Sequence, residues 1–412
     1  MDAAVSQVLQ RLEARMAQER ERFRSGADVD VDQMMLAVGR DAGQFLNILA
    51  KTGRASSILE AGTSVGYSTV WLADAAAQNR GRVISTEQLP AKHLQARDNL
   101  AEAGLLRTTE LHTGDALATI RRHAGPFDFA LIDLWKDLYI PVFNTMAPKL
   151  AAGALVAADN MVYPESARPQ ARKYQTHVRG QPGFDSVLVP IGNGIELSRK
   201  RKQEGPLTPA MRGVLNRLEK RAVKEDQVRR SLNETDYRAR LSEFMLPVGP
   251  ESGRFLNMLV KLGGFTRILE LGTSVGYSTL WLGDAVNATG GKIQTIDFSA
   301  GKLAEAAANL KQAGIRHRVE LVTGKVLDTI AQLPGPFDFV LLDYNRGEFI
   351  ACLDALWPKL APGAVLAADN MIEPAATKPQ ADAYRAYVAS KPGLQSVLVP
   401  IGNGIEITRK SE

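Results

Sequence analysis

The sequence predicts an α/β protein built as two tandem, doubly wound, mostly parallel sheets with helices on both faces. Three observations predict it. Short apolar, strand-like runs alternate with segments of helical periodicity, each series closes on a hairpin signal, and the whole series occurs twice. Strand–helix alternation buries parallel strands beneath helices on both faces. A closing hairpin adds an antiparallel edge.

The duplication can be read directly. TSVGYST occupies 63–69 and 273–279, AADNM 157–161 and 367–371, and SVLVPIGNGIE 186–196 and 396–406, each pair 210 positions apart. VLQRLEAR at 8 matches VLNRLEKR at 214, an offset of 206, so a short length difference precedes the first strand. Two large copies mean two domains, not a solenoid of small units. The boundary is expected near Gly205-Pro206, where Gly and Pro follow a charge run, giving domains 1–204 and 205–412.

In copy one, SILEAG reads as a short buried strand and GYSTVWLADAAAQ as a helix. RVISTE is strand-like, and PAKHLQARDNLAEAG is an amphipathic helix ending at Gly104. TTELHTG, FDFALID and ALVAAD follow as strands, and DSVLVPI and IELSRK pair around GNG.

The 412 residues, 45% hydrophobic and 23% charged, allow each copy a real core. A single cysteine, Cys352, precludes an intrachain disulfide and predicts a reducing, cytoplasmic setting. The N-terminal stretch is charged throughout and does not read as a secretory signal. No apolar run approaches the ~20 residues that span a bilayer, so no membrane partner is expected. The net charge is +5 and the pI about 9.2. The densest basic cluster, SRKRK at 198–202, adjoins the linker-like QEGPLTP and lacks interleaved aromatics, so no nucleic-acid partner is expected either.

After the first strand comes EAGTSVGYS at 60–68, repeated as ELGTSVGYS at 270–278. Glycine permits a sharp turn and close approach of a ligand to the backbone. Ser68 and the N–H groups of the following helix could hold a carboxylate or phosphate. Glu87, with Asp297 as its counterpart, sits at the tip of the second strand, the placement of an acid that accepts ribose hydroxyls. A ribose-bearing cofactor is implied, although the turn is not a GxGxxG fingerprint and glycines can serve strand–helix packing alone.

Asp133 ends the strand FDFALID, and Asp159 and Asn160 end ALVAADN. Strand tips share one edge of a doubly wound sheet. Two carboxylates and an amide oxygen there suit Mg²⁺, Mn²⁺ or Ca²⁺. Acids at strand ends are also common as helix caps. Lys136 lies three residues past Asp133; beside a cation it could lose its proton and act as a base, or be a plain surface lysine.

The combination ExGTSxGYS, DLWKDxY and ADN resembles the cation-dependent, S-adenosylmethionine-dependent O-methyltransferases of the catechol and caffeoyl-coenzyme A type. The resemblance covers about 35–200 and 245–410. It implies two Rossmann-like domains, each a seven-stranded mixed sheet with an antiparallel last strand. It places Glu60, Gly62, Ser64, Tyr67, Ser68, Glu87, Asp115, Ala116 and Asp133 around the S-adenosyl-L-methionine, with Glu87 on the ribose and Asp115 near the adenine. It assigns Asp133, Asp159 and Asn160 to the metal and Lys136 to the general base, with a small hydroxylated molecule as substrate.

Copy two retains the cofactor positions Glu270, Gly272, Ser278 and Asp297 and the metal positions Asp343, Asp369 and Asn370. It replaces Lys136 by Arg346, Asp115 by Lys325, Asp137 by Gly347 and Tyr139 by Phe349. Arginine is never the base. The expectation is a catalytic first copy and a fused second copy, the two forming an intrachain pseudo-dimer, with further homo-oligomers open. The alternatives are two sites with different substrates, a non-catalytic cofactor-binding sensor or scaffold, and a nicotinamide oxidoreductase. Around Val38–Gly39 and Met161–Arg172 nothing encodes the substrate; Tyr163, Pro164 and Pro169 suggest an aromatic wall there, or core packing.

Overall fold

A computed structural model describes residues 2–25 and 30–411. The chain divides into two compact units, Met1–Gln203 and Glu204–Glu412.

The first unit opens with helix α1 (Ala3–Arg24), capped by the Asp2 carboxylate accepting from the Ala4 backbone N–H at 2.9 Å. The charged N-terminal segment is thus an amphipathic helix. Val5, Val8, Leu9, Leu12 and Met16 form its buried stripe, at the spacing that keeps one face apolar.

Then follow α2 (Arg40–Thr52), β1 (Ser57–Ala61), α3 (Tyr67–Gln78), β2 (Arg82–Glu87), α4 (Pro90–Glu102), β3 (Thr109–Thr113) and α5 (Ala116–Arg122). The unit continues with β4 (Phe127–Ile132), α6 (Tyr139–Met146), β5 (Leu150–Ala158), α7 (Arg168–Arg179), β6 (Phe184–Val189) and β7 (Ile195–Lys200). α1 packs on α3 and α4.

The strand order is β3-β2-β1-β4-β5-β7-β6. β1 to β5 pair in parallel; β7 runs antiparallel to both β5 and β6. The expected hairpin is there, with Val189 opposite Ile195. The parallel strands are apolar on both faces because helices cover both. Phe127, Phe129, Leu131 and Ile132 of β4 are all buried, each contributing about 1.5–3 kcal/mol.

The basic cluster 198–202 is largely structural. Ser198 and Arg199 are buried in β7, and Lys200 donates to the Ala147 and Leu150 carbonyls at 3.1 and 2.8 Å. Arg201 pairs with Asp185 at 2.6 Å. Alternation along a strand sends these charges to fixed partners, so the run does not form a free basic patch.

The second unit opens with α8 (Pro209–Ser231), capped by Thr208, and repeats the plan. Its strands are β8 (Arg267–Leu271), β9 (Lys292–Asp297), β10 (Val319–Thr323), β11 (Phe337–Leu342), β12 (Leu360–Ala368), β13 (Leu394–Val399) and β14 (Ile405–Lys410). Their order is β10-β9-β8-β11-β12-β14-β13, again with the penultimate position antiparallel to its neighbours. Among the described residues no helix is long and apolar enough to cross a membrane.

Candidate active site

Strand order puts β1, β4 and β5 side by side, so the segments leaving their carboxyl ends form one row. Ile132 pairs with Ala158, which brings Asp133 and Asp159 to neighbouring tips. The Asp133 N–H donates to the Ala61 carbonyl at 2.9 Å, and the Asp159 N–H to the Ile132 carbonyl at 3.1 Å.

The glycine turn lies against this row. Gly62 has φ +106°, and a Cβ there would collide with the Asp133 carbonyl oxygen. Only glycine lets the turn and the Asp133 segment pack this closely. Gly66, at φ +89°, precedes α3 and lies against Ala96.

Glu60, at the end of β1, is 0% exposed. Its carboxylate accepts from Ser68 at 2.6 Å, and from Thr69 and Ser85 at 2.5 Å each. Burial pushes its pKa up to about 7 against these three donors, with Asp133 adding a smaller push. The side chain is therefore enclosed; it ties the glycine turn, α3 and β2 together. Ser85 was not a legible partner from sequence, since only the register that pairs it with Glu60 reveals it.

Glu87 is aimed by the backbone. One oxygen accepts from the Ser64 N–H at 2.7 Å and the other from the Leu89 N–H at 2.9 Å. Ser64 sits at φ +48° and its hydroxyl donates to the Met35 carbonyl. Tyr67 is buried, with its hydroxyl donating to Glu13 of α1 at 2.8 Å. Asp115 is exposed and caps α5, accepting from the Ala118 N–H at 2.7 Å; Ala116 opens that helix and is buried. Gly62, Ser64 and Glu87 thus converge on one turn, while Tyr67 and Asp115 engage their own helix partners.

Asp159 is 1% exposed, and neither of its carboxylate oxygens has a hydrogen-bond partner among the described residues. A buried carboxylate left unpaired costs several kcal/mol, on the order of 3–5 when a partner charge is missing. Burial first, and then the Asp133 charge, raise its pKa well above the usual range. Burial likewise lifts Asp133 to about 6, with Lys136 opposing. Asn160 adopts φ +56°, a left-handed conformation asparagine tolerates, as the chain turns away from β5. Two acids and an amide oxygen at neighbouring tips, one acid unpaired, fit a hard divalent cation.

Lys136 completes the cluster. Its Nζ donates to the Tyr139 hydroxyl, to Asn160 Oδ1 at 3.2 Å and to the Leu134 carbonyl at 3.4 Å. Tyr139 is buried and in turn donates to the Asp159 carbonyl at 3.1 Å. Burial lowers the Lys136 pKa, while Asp133 and Asp159 hold it up. Tyr139 links Lys136 to the Asp159 backbone, a contact the sequence hinted at only through its replacement by Phe349.

The second unit keeps the frame. A Cβ at Gly272 would strike the Asp343 carbonyl; Glu270 accepts from Ser278, Thr279 and Thr295 at 2.6 Å each; Asp297 accepts from the Ser274 and Ser299 N–H groups at 2.8 Å each. The tip cluster differs. Asn370 Nδ2 donates to Asp343 at 3.0 Å, while its Oδ1 accepts from Asn403 at 2.9 Å. Arg346 donates to the Asn370 and Glu373 carbonyls at 2.9 and 3.3 Å. Asp369 is 2% exposed with Oδ1 unpartnered among the described residues. Burial lifts it to about 7 and raises Asp343 strongly. Lys325, opposite Asp115, provides no side-chain cap.

Each unit is thus a Rossmann-like domain whose ligand edge is the row of strand tips after β1, β2, β4 and β5, or their equivalents. A family profile described as O-methyltransferase matches residues 14–201 and again 219–411, and the chain belongs to that family. A catechol O-methyltransferase of Niastella koreensis is 31% identical over 169 residues, 38% of this chain and 76% of that protein. A catechol O-methyltransferase of Mycobacterium tuberculosis is 34% identical over 128 residues, 31% of this chain and 58% of that protein. Among solved structures, an O-methyltransferase from Bacillus cereus in complex with SAH aligns over 49% of this chain and 92% of its own, at 25% identity and a TM-score of 0.40.

Proposed function

We propose that the first repeat transfers a methyl group from S-adenosylmethionine to one oxygen of a vicinal dihydroxy aromatic molecule, with a divalent cation such as Mg²⁺. The observation that carries this reading is the Asp159 carboxylate, buried and without partners beside Asp133, Asn160 and Lys136. Such a group is costly unless something positively charged occupies the space in front of it.

Asp133, Asp159 and Asn160 would hold the cation. A divalent cation held by these residues would supply Lewis-acid stabilisation to a developing phenolate, which would make the substrate hydroxyl easier to deprotonate. Lys136 takes the proton. Burial draws its ammonium below the usual 10.5, the direction a general base requires. Tyr139 and Asn160 fix where the amine stands.

Glu87 would accept the ribose hydroxyls, since the Ser64 and Leu89 N–H groups already orient both its oxygens. Gly62 leaves the backbone bare beside the Asp133 segment, where a cofactor can approach closely. Methyl transfer then depends on holding oxygen and methyl in line, which these fixed groups supply. Trp135 and Tyr163 are 64% and 62% exposed, each close in sequence to a metal position, and offer flat apolar faces for an aromatic ring. Their counterparts in the second repeat are Asn345 and Glu373.

The second repeat reads as a non-catalytic partner. Its guanidinium is no base, and its asparagine amide is committed to Asp343 and Asn403.

Labelled S-adenosylmethionine, a panel of catechols and Mg²⁺ test this, with and without chelator. Methyl transfer should stop with chelator and in Asp159→Ala, and persist in Asp369→Ala. Half or more of the turnover surviving in Asp159→Ala but lost in Asp369→Ala would move the active site to the second repeat. Tight cofactor binding without transfer to any catechol would favour the sensor reading.

A further inference from the structure

A second cluster of potential ligands lies on the first unit, away from the strand tips. Glu110 and His112 alternate on edge strand β3 and so share a face, and His123 follows α5 at the far end of that helix. His112 Nε2 lies 2.9 Å from Glu110 Oε1 and 3.1 Å from His123 Nε2, and His123 Nε2 is 3.7 Å from the same oxygen. All three side chains are partly exposed, so an ion could reach them.

One two-centre hydrogen bond does not engage all three atoms. If His112 Nε2 carries a proton and gives it to Glu110, it has no lone pair for His123. If it is unprotonated, its lone pair faces a carboxylate oxygen that only accepts. The three potential ligand atoms lie close enough together for a single cation to engage them all. In tetrahedral zinc with bonds of about 2.0–2.1 Å, ligand atoms stand roughly 3.3 Å apart. The observed edges of 2.9, 3.1 and 3.7 Å bracket that value.

We propose that Glu110, His112 and His123 form a zinc-class transition-metal site, distinct from the hard-cation site at the strand tips. Two imidazoles and one carboxylate are the borderline donors that zinc takes, and three protein ligands leave the fourth position to water. His123 presents Nε2 toward both His112 and Glu110. Its backbone is fixed by Lys149, which donates to the Ile120, Arg121 and His123 carbonyls at 2.6, 3.0 and 2.6 Å. A metal here would cross-link the exposed edge strand β3 to the connection entering β4.

The second repeat provides an internal control. It keeps the clamp, with Lys359 on the Ile330, Ala331 and Leu333 carbonyls, and it keeps Glu320. Val322 and Leu333 replace the two histidines. Among the described residues this cluster occurs once.

Zn²⁺ titration of the full chain by calorimetry in excess Mg²⁺, repeated in an Asp159→Asn/Asp369→Asn background, tests the proposal. One Zn²⁺ per chain should bind in both, with affinity falling about 100-fold or more in His112→Gln and in His123→Gln. Co²⁺ should give a four-coordinate visible spectrum that Zn²⁺ bleaches, and both histidine variants should lose it. Zn²⁺ should raise the melting temperature of the parent chain and not of the histidine variants. Undiminished Zn²⁺ affinity in both histidine variants, or no saturable binding by the parent chain in the micromolar range, would overturn it. These readouts do not depend on methyl transfer, so they stand apart from the fate of the proposed activity.

Discussion

The two repeats share a scaffold and part ways in the side chains around its strand tips. Each holds a buried glutamate under three hydroxyls, each presses a glycine against an aspartate carbonyl, and each hangs an acid on backbone N–H groups after the second strand. Around the candidate site the divergence lies mostly past the tips of the fourth and fifth strands, with Lys325 in place of Asp115 after the third. In the first, a lysine stands on a tyrosine hydroxyl and Asn160 Oδ1. In the second, an arginine is tied to backbone carbonyls and the asparagine amide bridges Asp343 and Asn403. A fold can thus be kept while the chemistry at its rim is released, because the rim adds little to the core.

The largest effect expected is on the proposed metal ligands. Asp159→Ala should lower methyl transfer by more than about 100-fold, and Asp369→Ala by less than about twofold. Equal losses would mean the repeats do not differ in the way their side chains suggest. Next comes the base. Lys136→Arg copies the second repeat into the first and should cost about 10²–10⁴-fold in kcat with KM little changed. The reciprocal Arg346→Lys should not by itself create activity, since Phe349 provides no hydroxyl and Asn370 stays engaged with Asn403. Turnover appearing in an Asp159→Ala/Arg346→Lys chain would break that asymmetry.

Much of this was legible in the sequence, for a physical reason. The alternation of apolar runs and helical segments records burial, and the 210-residue offset doubles every signal. Hence the sheets, the hairpins and the tip positions of Glu87, Asp133 and Asp159 could be read directly. What could not be read depends on register or on distant contacts. Ser85 meets Glu60 only through strand pairing, and Tyr67 meets Glu13 only because α1 folds onto α3. Glu110, His112 and His123 carry no motif spacing; they meet because the segment after α5 brings His123 beside His112 of β3.

The shared scaffold should respond alike in both repeats. Gly62→Ala forces a Cβ into the Asp133 carbonyl at a positive φ, and Gly272→Ala does the same at Asp343. Each should destabilise its own repeat by on the order of 2–4 kcal/mol in urea unfolding. Only Gly62→Ala should also reduce methyl transfer in the fraction that remains folded, because only there does the displaced segment carry the proposed base, Lys136.

The smallest effect is a slope. Glu60 has its pKa raised from 4.5 to about 7 by burial in the folded state, and burial raises Glu270 in the same direction. A carboxyl raised on folding binds its proton more tightly in the native protein than in the unfolded chain. Its contribution is therefore fully present below about pH 4.5 and is lost as pH rises through about 7. For Glu60 the loss is on the order of 3 kcal/mol across that window. Glu60→Gln cannot ionise, so it should flatten part of the decline in stability between those pH values, and Glu60→Gln/Glu270→Gln should flatten more. Urea midpoints measured across the window decide it. If the decline is as steep in the double variant as in the parent chain, the buried glutamates ionise freely in the fold, and the three hydroxyls on each outweigh its burial.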